Sequence, residues 1–117
     1  MKRDWDIVRE ILIKLEELDD ANSFLRDEDV SGYDRALVAF HMHLLDEAGL
    51  IKAGCVRVSG GWSCQANCMT WRGYEFLDHI RQDKIWNRVK STASEKSLSL
   101  SLDLIVKLAE KVIDSIL

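Results

Sequence analysis

Any chemistry in this chain must come from a few side chains. His41 and His43 stand two residues apart, Cys55, Cys64 and Cys68 fall within one short stretch, and Asp27-Glu28-Asp29 is a run of carboxylates. Residues two apart on a helix project from different faces, so the two histidines cannot chelate one ion. His41 lies in the middle of an apolar stripe and reads as a hydrogen-bonded core histidine. Cys64-x-x-x-Cys68 is a weak zinc signal, because a structural site needs four ligands, which Cys55 across a turn and a histidine would have to complete. Free, partly buried thiols are expected instead. The Asp27–Asp29 run lacks the glycine-centred loop of a calcium site and reads as an acidic loop. The chain has no nucleophile elbow, phosphate-cradling glycine loop or His-Glu-x-x-His pair, and Gly60-Gly61 belongs to a turn between strands. A non-enzymatic protein without cofactor or metal is expected.

The basic side chains suggest binding. The net charge of −4 conceals an asymmetry. Residues 1–48 carry 6 basic and 13 acidic side chains, residues 49–90 carry 7 and 3, and residues 91–117 carry 3 and 4. Such segregation steers an anionic partner even on an acidic protein. Lys52, Arg57 and Arg72 flank Gly60-Gly61-Trp62 and are of the type that contacts a phosphate backbone. Trp62 is a contact candidate at the turn, with folding back onto the sheet as its alternative. On the outer side of the preceding helix only Arg35 and His43 suit base edges, against Asp34, Asp46 and Glu47.

These residues must be positioned by recognisable elements. Asp4 is a plausible N-cap, followed by Trp5, Val8, Ile11, Leu12, Leu15 and Leu18 at helical spacing. Residues 19–33 are polar and acidic and read as a loop, with a short extended piece near Asp29-Val30. A second helix spans about 34–48, with Leu37, Val38, His41, Leu44, Leu45 and Ala48 on one side. Gly49 stops it. Arg35, Ala36, Ala39, His43, Asp46 and Glu47 fall on its other side. Leu50–Val58 and Trp62–Trp71 suggest two strands around Ser59-Gly60-Gly61. Thr70 caps a third helix carrying Tyr74, Phe76, Leu77 and Ile80, and Ile85, Trp86 and Val89 continue after Asp83. Residues 91–101 read as a Ser-rich linker, and 102–117 as an amphipathic helix.

Two blocks carry a family resemblance. His41-Met42-His43-Leu44-Leu45-Asp46-Glu47-Ala48-Gly49-Leu50-Ile51 resembles the end of the recognition helix in bacterial winged-helix repressors. Met69-Thr70-Trp71-Arg72-Gly73-Tyr74-Glu75-Phe76-Leu77 resembles their step out of the wing. The whole chain is similar to a bacterial and phage family, domain of unknown function 2513, through Met1–Asp6, His41–Ile51, Thr70–Asp78, Ile80-Arg81, Trp86-Asn87, Val89-Lys90 and Ser99–Ile105. The resemblance implies an α+β fold: a winged helix-turn-helix-like core over 1–90 with a two-stranded wing, the linker 91–101 and an added C-terminal helix 102–117. The acidic 19–33 segment leaves the usual second helix reduced or missing.

At 117 residues and 47% hydrophobic content, the chain has enough length for one modest core. No apolar run nears the roughly 18 residues of a membrane span, so a cytoplasmic protein without membrane contact is expected. The expected role is a DNA-binding regulator of phage or mobile-element type, acting on duplex DNA. The alternative is a protein-interaction adaptor with its acidic half facing a basic partner. The broad apolar face of 102–117 also predicts a homodimer through that helix, in competition with docking inside the chain.

Overall fold

Helix α1 (Trp5–Glu16) begins where the sequence predicts, because the Asp4 carboxylate accepts from the backbone N–H groups of Asp6 (2.9 Å) and Ile7 (3.4 Å). In the computed structural model, which describes residues 1–117, there follow β1 (Leu25–Arg26), a 3₁₀ turn (Asp27–Asp29), α2 (Arg35–Glu47), β2 (Ile51–Val58) and β3 (Gly61–Met69). Then come α3 (Trp71–Ile80), α4 (Asp83–Glu95) and α5 (Leu102–Ile116). The chain divides into two units, Met1–Tyr74 and Glu75–Leu117.

The first unit is a three-stranded antiparallel sheet of order β1-β3-β2, packed against α1 and α2. The extended piece expected near Asp29-Val30 lies earlier, at Leu25–Arg26, and pairs with Ala66 and Gln65 as a third strand. A single 3₁₀ turn at Asp27–Asp29 stands where a helix-turn-helix protein would carry its second helix. Helix α2 buries Val38, Ala39, His41, Met42 and Leu45. Ala39 therefore leaves the solvent side assigned to it, because α2 packs on the sheet as well as on α1.

The hairpin runs from Ile51↔Met69 to Val58↔Gly61, with Asn67 left over between Lys52↔Cys68 and Ala53↔Ala66. That bulge lets β3 continue through its polar centre. Trp62, Cys64 and Ala66 alternate onto the α2 side of β3, as strand periodicity requires and as the contacts of Trp62 and Cys64 with α2 demonstrate.

The second unit is helical. Helix α4 buries Ile85, Trp86, Val89 and Ala93, and α5 packs along it while burying Ile105, Leu108 and Ala109. Helix α4 runs on through Ser91–Glu95, so the non-helical link is only residues 96–101. Ser residues at this density lower helix propensity only slightly, and the burial of Ala93 offsets that cost. Ser101 caps α5 by accepting from the Leu104 N–H at 3.1 Å. Helix α5 thus buries Ile105, Leu108 and Ala109 inside its own chain, while Leu102, Leu104, Val106, Val112 and Ile113 stay half-buried and Ile116 and Leu117 are exposed.

Candidate nucleic-acid interface

The site residues sit around α2 and the hairpin, and the structure treats them very differently. Arg35, at the start of α2, points its Nη1 to the Asp27 carboxylate at 3.1 Å and towards the Trp62 carbonyl at 3.5 Å. Asp27 is buried, and its Oδ2 also accepts from the Cys64 N–H at 2.8 Å. One carboxylate thereby satisfies a strand N–H beyond the short reach of β1 and neutralises a cation. Asp29 accepts from the Arg26 N–H at 2.9 Å, tightening the same turn. The acidic loop is a structural plug, and Arg35 is engaged in it.

His43 lies stacked on Trp62, ring centroids 3.9 Å apart and planes 17° from parallel, with its Nε2 3.5 Å from Glu47. The guanidinium of Arg57, cross-strand partner of Trp62, lies 4.9 Å from the indole centroid. Trp62 is thus contacted by an imidazole and a cation and folds back onto the α2 side. His41 is fully buried, with Nδ1 2.8 Å from the Leu37 carbonyl and Nε2 accepting from the Asp4 N–H at 2.7 Å. Those partners require the neutral ring with its proton on Nδ1. It joins α2 to the start of α1, a structural role in keeping with its position in the stripe.

The cysteines depart from expectation. Cys55 and Cys64 form a disulfide across the hairpin, with Cα atoms 4.2 Å apart, and Cys68 alone is a free, exposed thiol. The cause is register. The Cys64 N–H points away from β2 to Asp27, so Cys55↔Cys64 is a non-hydrogen-bonded pair, where opposed side chains come closest. Spacing alone could not reveal that. Cys64 Sγ also lies 3.2 Å from the Ala39 carbonyl, a contact that becomes a hydrogen bond only when the sulfur carries a proton.

The two sequence blocks meet physically. Gly49 has φ +78° and ends α2 in a left-handed turn, with Leu50 N–H bonded to the Leu45 carbonyl at 3.0 Å and Gly49 N–H to Asp46 at 3.1 Å. Thr70 then ties the start of α3 to this stop. Its N–H donates to Leu50 at 3.0 Å, and its hydroxyl donates to the Gly49 carbonyl at 2.6 Å while accepting from Gly73 N–H at 3.1 Å. Arg72 Nη1 donates to the Ala48 carbonyl at 3.3 Å. A Cβ on Gly73 would overlap the Leu50 carbonyl oxygen and come within 2.6 Å of the Met69 side chain. Much of what looks like a recognition signature is therefore a joint between α2, β2 and α3.

What remains for a partner is charge. From Ala48 to Tyr74 there is no acidic residue, in a chain with 20 of them, and Lys52, Arg57 and Arg72 are all exposed there. By contrast, the groove of about 530 Å³ on the outer face of the sheet holds its charges paired, Arg26 with Glu28 at 3.5 Å and Arg35 with Asp27 at 3.1 Å. No helix is long and apolar enough to cross a membrane.

This is a small α+β domain with a three-stranded antiparallel sheet, an arrangement compatible with a winged helix. The chain belongs to the family described as "Hypothetical protein (DUF2513)", which it matches over residues 2–99. It is also similar to an "Uncharacterized protein" of Haemophilus influenzae, 43% identical over 117 residues, covering 100% of this chain and 99% of the relative. No solved structure matches it.

Proposed function

We propose that this is a non-enzymatic, winged-helix-like regulator that binds duplex DNA through its hairpin rather than through α2. The observation that carries the reading is the acid-free stretch 48–74 with Lys52, Arg57 and Arg72 exposed. Asp46 accepts from the Ala53 N–H at 3.0 Å beside Lys52, and Glu75 follows Arg72 by three residues, but the stretch itself adds only positive charge to the field that phosphates meet. Helix α2 contributes little to base reading in this scheme. Arg35 is held by Asp27, His43 is stacked on Trp62, and the last turn presents Asp46 and Glu47. Trp62 supports the hairpin from within and holds Arg57 close to its ring. The order of elements, with a 3₁₀ turn in place of the second helix, supports a winged helix reduced at that position. The scheme uses residues of one copy, all within the first unit.

Fluorescence anisotropy with a labelled random-sequence duplex tests this. Three phosphate contacts give a slope of about −2.7 in log affinity against log salt, or roughly 40-fold weaker binding at 200 mM than at 50 mM. Arg57→Glu should weaken binding further, whereas Arg35→Lys, which keeps a cation beside Asp27, should leave the affinity for this probe unchanged. Absence of duplex binding at 50 mM salt would overturn the reading in favour of a protein-interaction adaptor on the same scaffold.

A further inference from the structure

The sheet closes one of its edges and leaves the other open. Beyond the short reach of β1, β3 turns the Cys64 N–H and the Trp62 carbonyl outward, and Asp27 and Arg35 meet them at 2.8 and 3.5 Å. The opposite edge is β2. Because Cys55↔Cys64 is a non-hydrogen-bonded pair, Gly54, Val56 and Val58 bond to β3, while Ala53, Cys55 and Arg57 turn their backbone groups away from it. The Asp46 carboxylate takes the Ala53 N–H at 3.0 Å. No group of the chain takes the N–H or carbonyl of Cys55 and Arg57 on that side. Apolar side chains lie along the same stretch, Val56 being 62% exposed and Val58 42%. Among large apolar side chains of the first unit only Trp71, at 80%, and the terminal Met1, at 70%, are more exposed than Val56. An open edge with apolar side chains is a template for a further strand.

Charge and register identify the strand that fits. The edge is acidic at its start, where Asp46 sits on Ala53 and Glu47 follows, and basic at its end, at Arg57. Both charges lie on the α2 side, Asp46 as part of that helix and Arg57 over the Trp62 ring. A two-fold antiparallel pairing sets the basic end of one strand against the acidic start of the other, so the edge is complementary to itself. Three symmetric registers use the outward residues. Cys55 opposite the partner's Cys55 carries Arg57 onto the partner's Ala53, whose N–H is already taken. Arg57 opposite the partner's Arg57 opposes like charges. Cys55 opposite the partner's Arg57 satisfies the outward N–H and carbonyl of both residues on both strands. It also brings Val56 against the partner's Val56 as a non-hydrogen-bonded pair, sets Val58 across from the partner's Gly54, and leaves Arg57 within diagonal reach of the partner's Asp46.

We propose that β2 pairs edge to edge with β2 of a second copy, Cys55 against the partner's Arg57, joining two sheets into one. The contact is small, so the dimer is weak and reversible. The pairing does not rest on the duplex reading and shares only Arg57 with it. Its test contains no nucleic acid, so either can fail alone.

The test uses the full chain with Cys68→Ser, which removes the free thiol. Adding Val56→Cys should give a covalent dimer with oxidised glutathione, because opposed Cα atoms of a non-hydrogen-bonded pair lie about 4.5 Å apart, within disulfide range. Val58→Cys should give none, since the two copies of that position stand about four residues out of step, roughly 13 Å along the strands. Sedimentation equilibrium of the Cys68→Ser chain should show monomer and dimer in exchange. Val56→Lys should raise the dissociation constant about tenfold or more, by setting two like charges where two apolar side chains met. Circular dichroism and thermal melting check that Val56→Lys folds as its parent, as the exposure of Val56 requires. A chain that stays monomeric at several hundred micromolar and yields no Val56→Cys cross-link overturns the proposal and leaves the edge to a strand of another protein. Cross-linking through Val58→Cys as readily as through Val56→Cys overturns the pairing. A dimer that Val56→Lys leaves intact forms elsewhere on the chain and overturns it too.

Discussion

Two helix ends show how differently the two units are specified. Helix α2, in the first unit, stops at Gly49 with φ +78°, and α4, in the second, stops at Ser97 with φ +55°. Both close the same double bond. Leu50 and Gly49 reach back to Leu45 and Asp46, and Leu98 and Ser97 reach back to Ala93 (2.8 Å) and Ser94 (3.1 Å). The first uses the residue that enters this conformation without steric cost. The second pays about 1–2 kcal/mol for a Cβ there. The stop after α2 is also the anchor for Thr70 and Gly73, so several bonds depend on its geometry. The stop after α4 only releases the chain into the link to α5. Where many bonds converge on a turn, composition is constrained; where packing of an apolar seam does the holding, it is loose.

The first unit accordingly adds to its apolar core a set of polar and backbone fits at single positions, among them Asp27, His41, Thr70 and Gly73. The second relies on interchangeable apolar side chains along α4 and α5. Substitutions can break or sharpen this contrast. The largest effect is expected from Gly73→Ala, which forces α3 away from Leu50 and strains or breaks the Thr70 bonds. A loss of about 3 kcal/mol or more is expected, at the upper end of overpacking costs, read as a lower urea midpoint. A loss below 1 kcal/mol would show that the joint yields. Next, Cys55→Ala with Cys64→Ala removes a cross-link over a ten-residue loop. The chain-entropy estimate is about 2.7 kcal/mol; an unchanged melting temperature with and without reductant would mean that the hairpin is held without it.

In the second unit, Leu108→Met should cost less than about 1.5 kcal/mol, because a volume-conserving swap in an apolar seam is well tolerated. A larger loss in denaturant titration would place α5 among the rigidly specified elements. The smallest effect has the opposite sign. Ser97→Gly should stabilise by up to about 1 kcal/mol, since relief of the left-handed strain is partly offset by the greater freedom of glycine in the unfolded chain. A lower melting temperature for this variant would show that the Ser97 side chain contributes more than its strain costs.

The same division explains what could be read in advance. Helix α1 with its Asp4 cap, α2 with its Gly49 stop, the Ser59-Gly60 turn and α5 were all legible. Each is announced by local spacing and capping chemistry within a few residues. Strand β1 was not, because two residues carry no periodicity and the strand exists only through pairing with Gln65 and Ala66, some forty positions away. Among the site residues, exposure of Lys52, Arg57 and Arg72 followed from the charge pattern. The engagement of Arg35 with Asp27, the stacking of His43 on Trp62 and the exposure of Trp71 did not, since each depends on what another element brings near.

By itself, then, the sequence determined the elements, their order and the concentration of positive charge after Gly49, because propensity, capping and charge are properties of neighbouring residues. Tertiary structure alone decided the use of Asp27 as a plug for the Cys64 N–H, the pairing of Cys55 with Cys64, and which tryptophan faces water. Those outcomes are set by strand register and by how closely two helices and a hairpin approach, and register is a long-range quantity that no local pattern encodes.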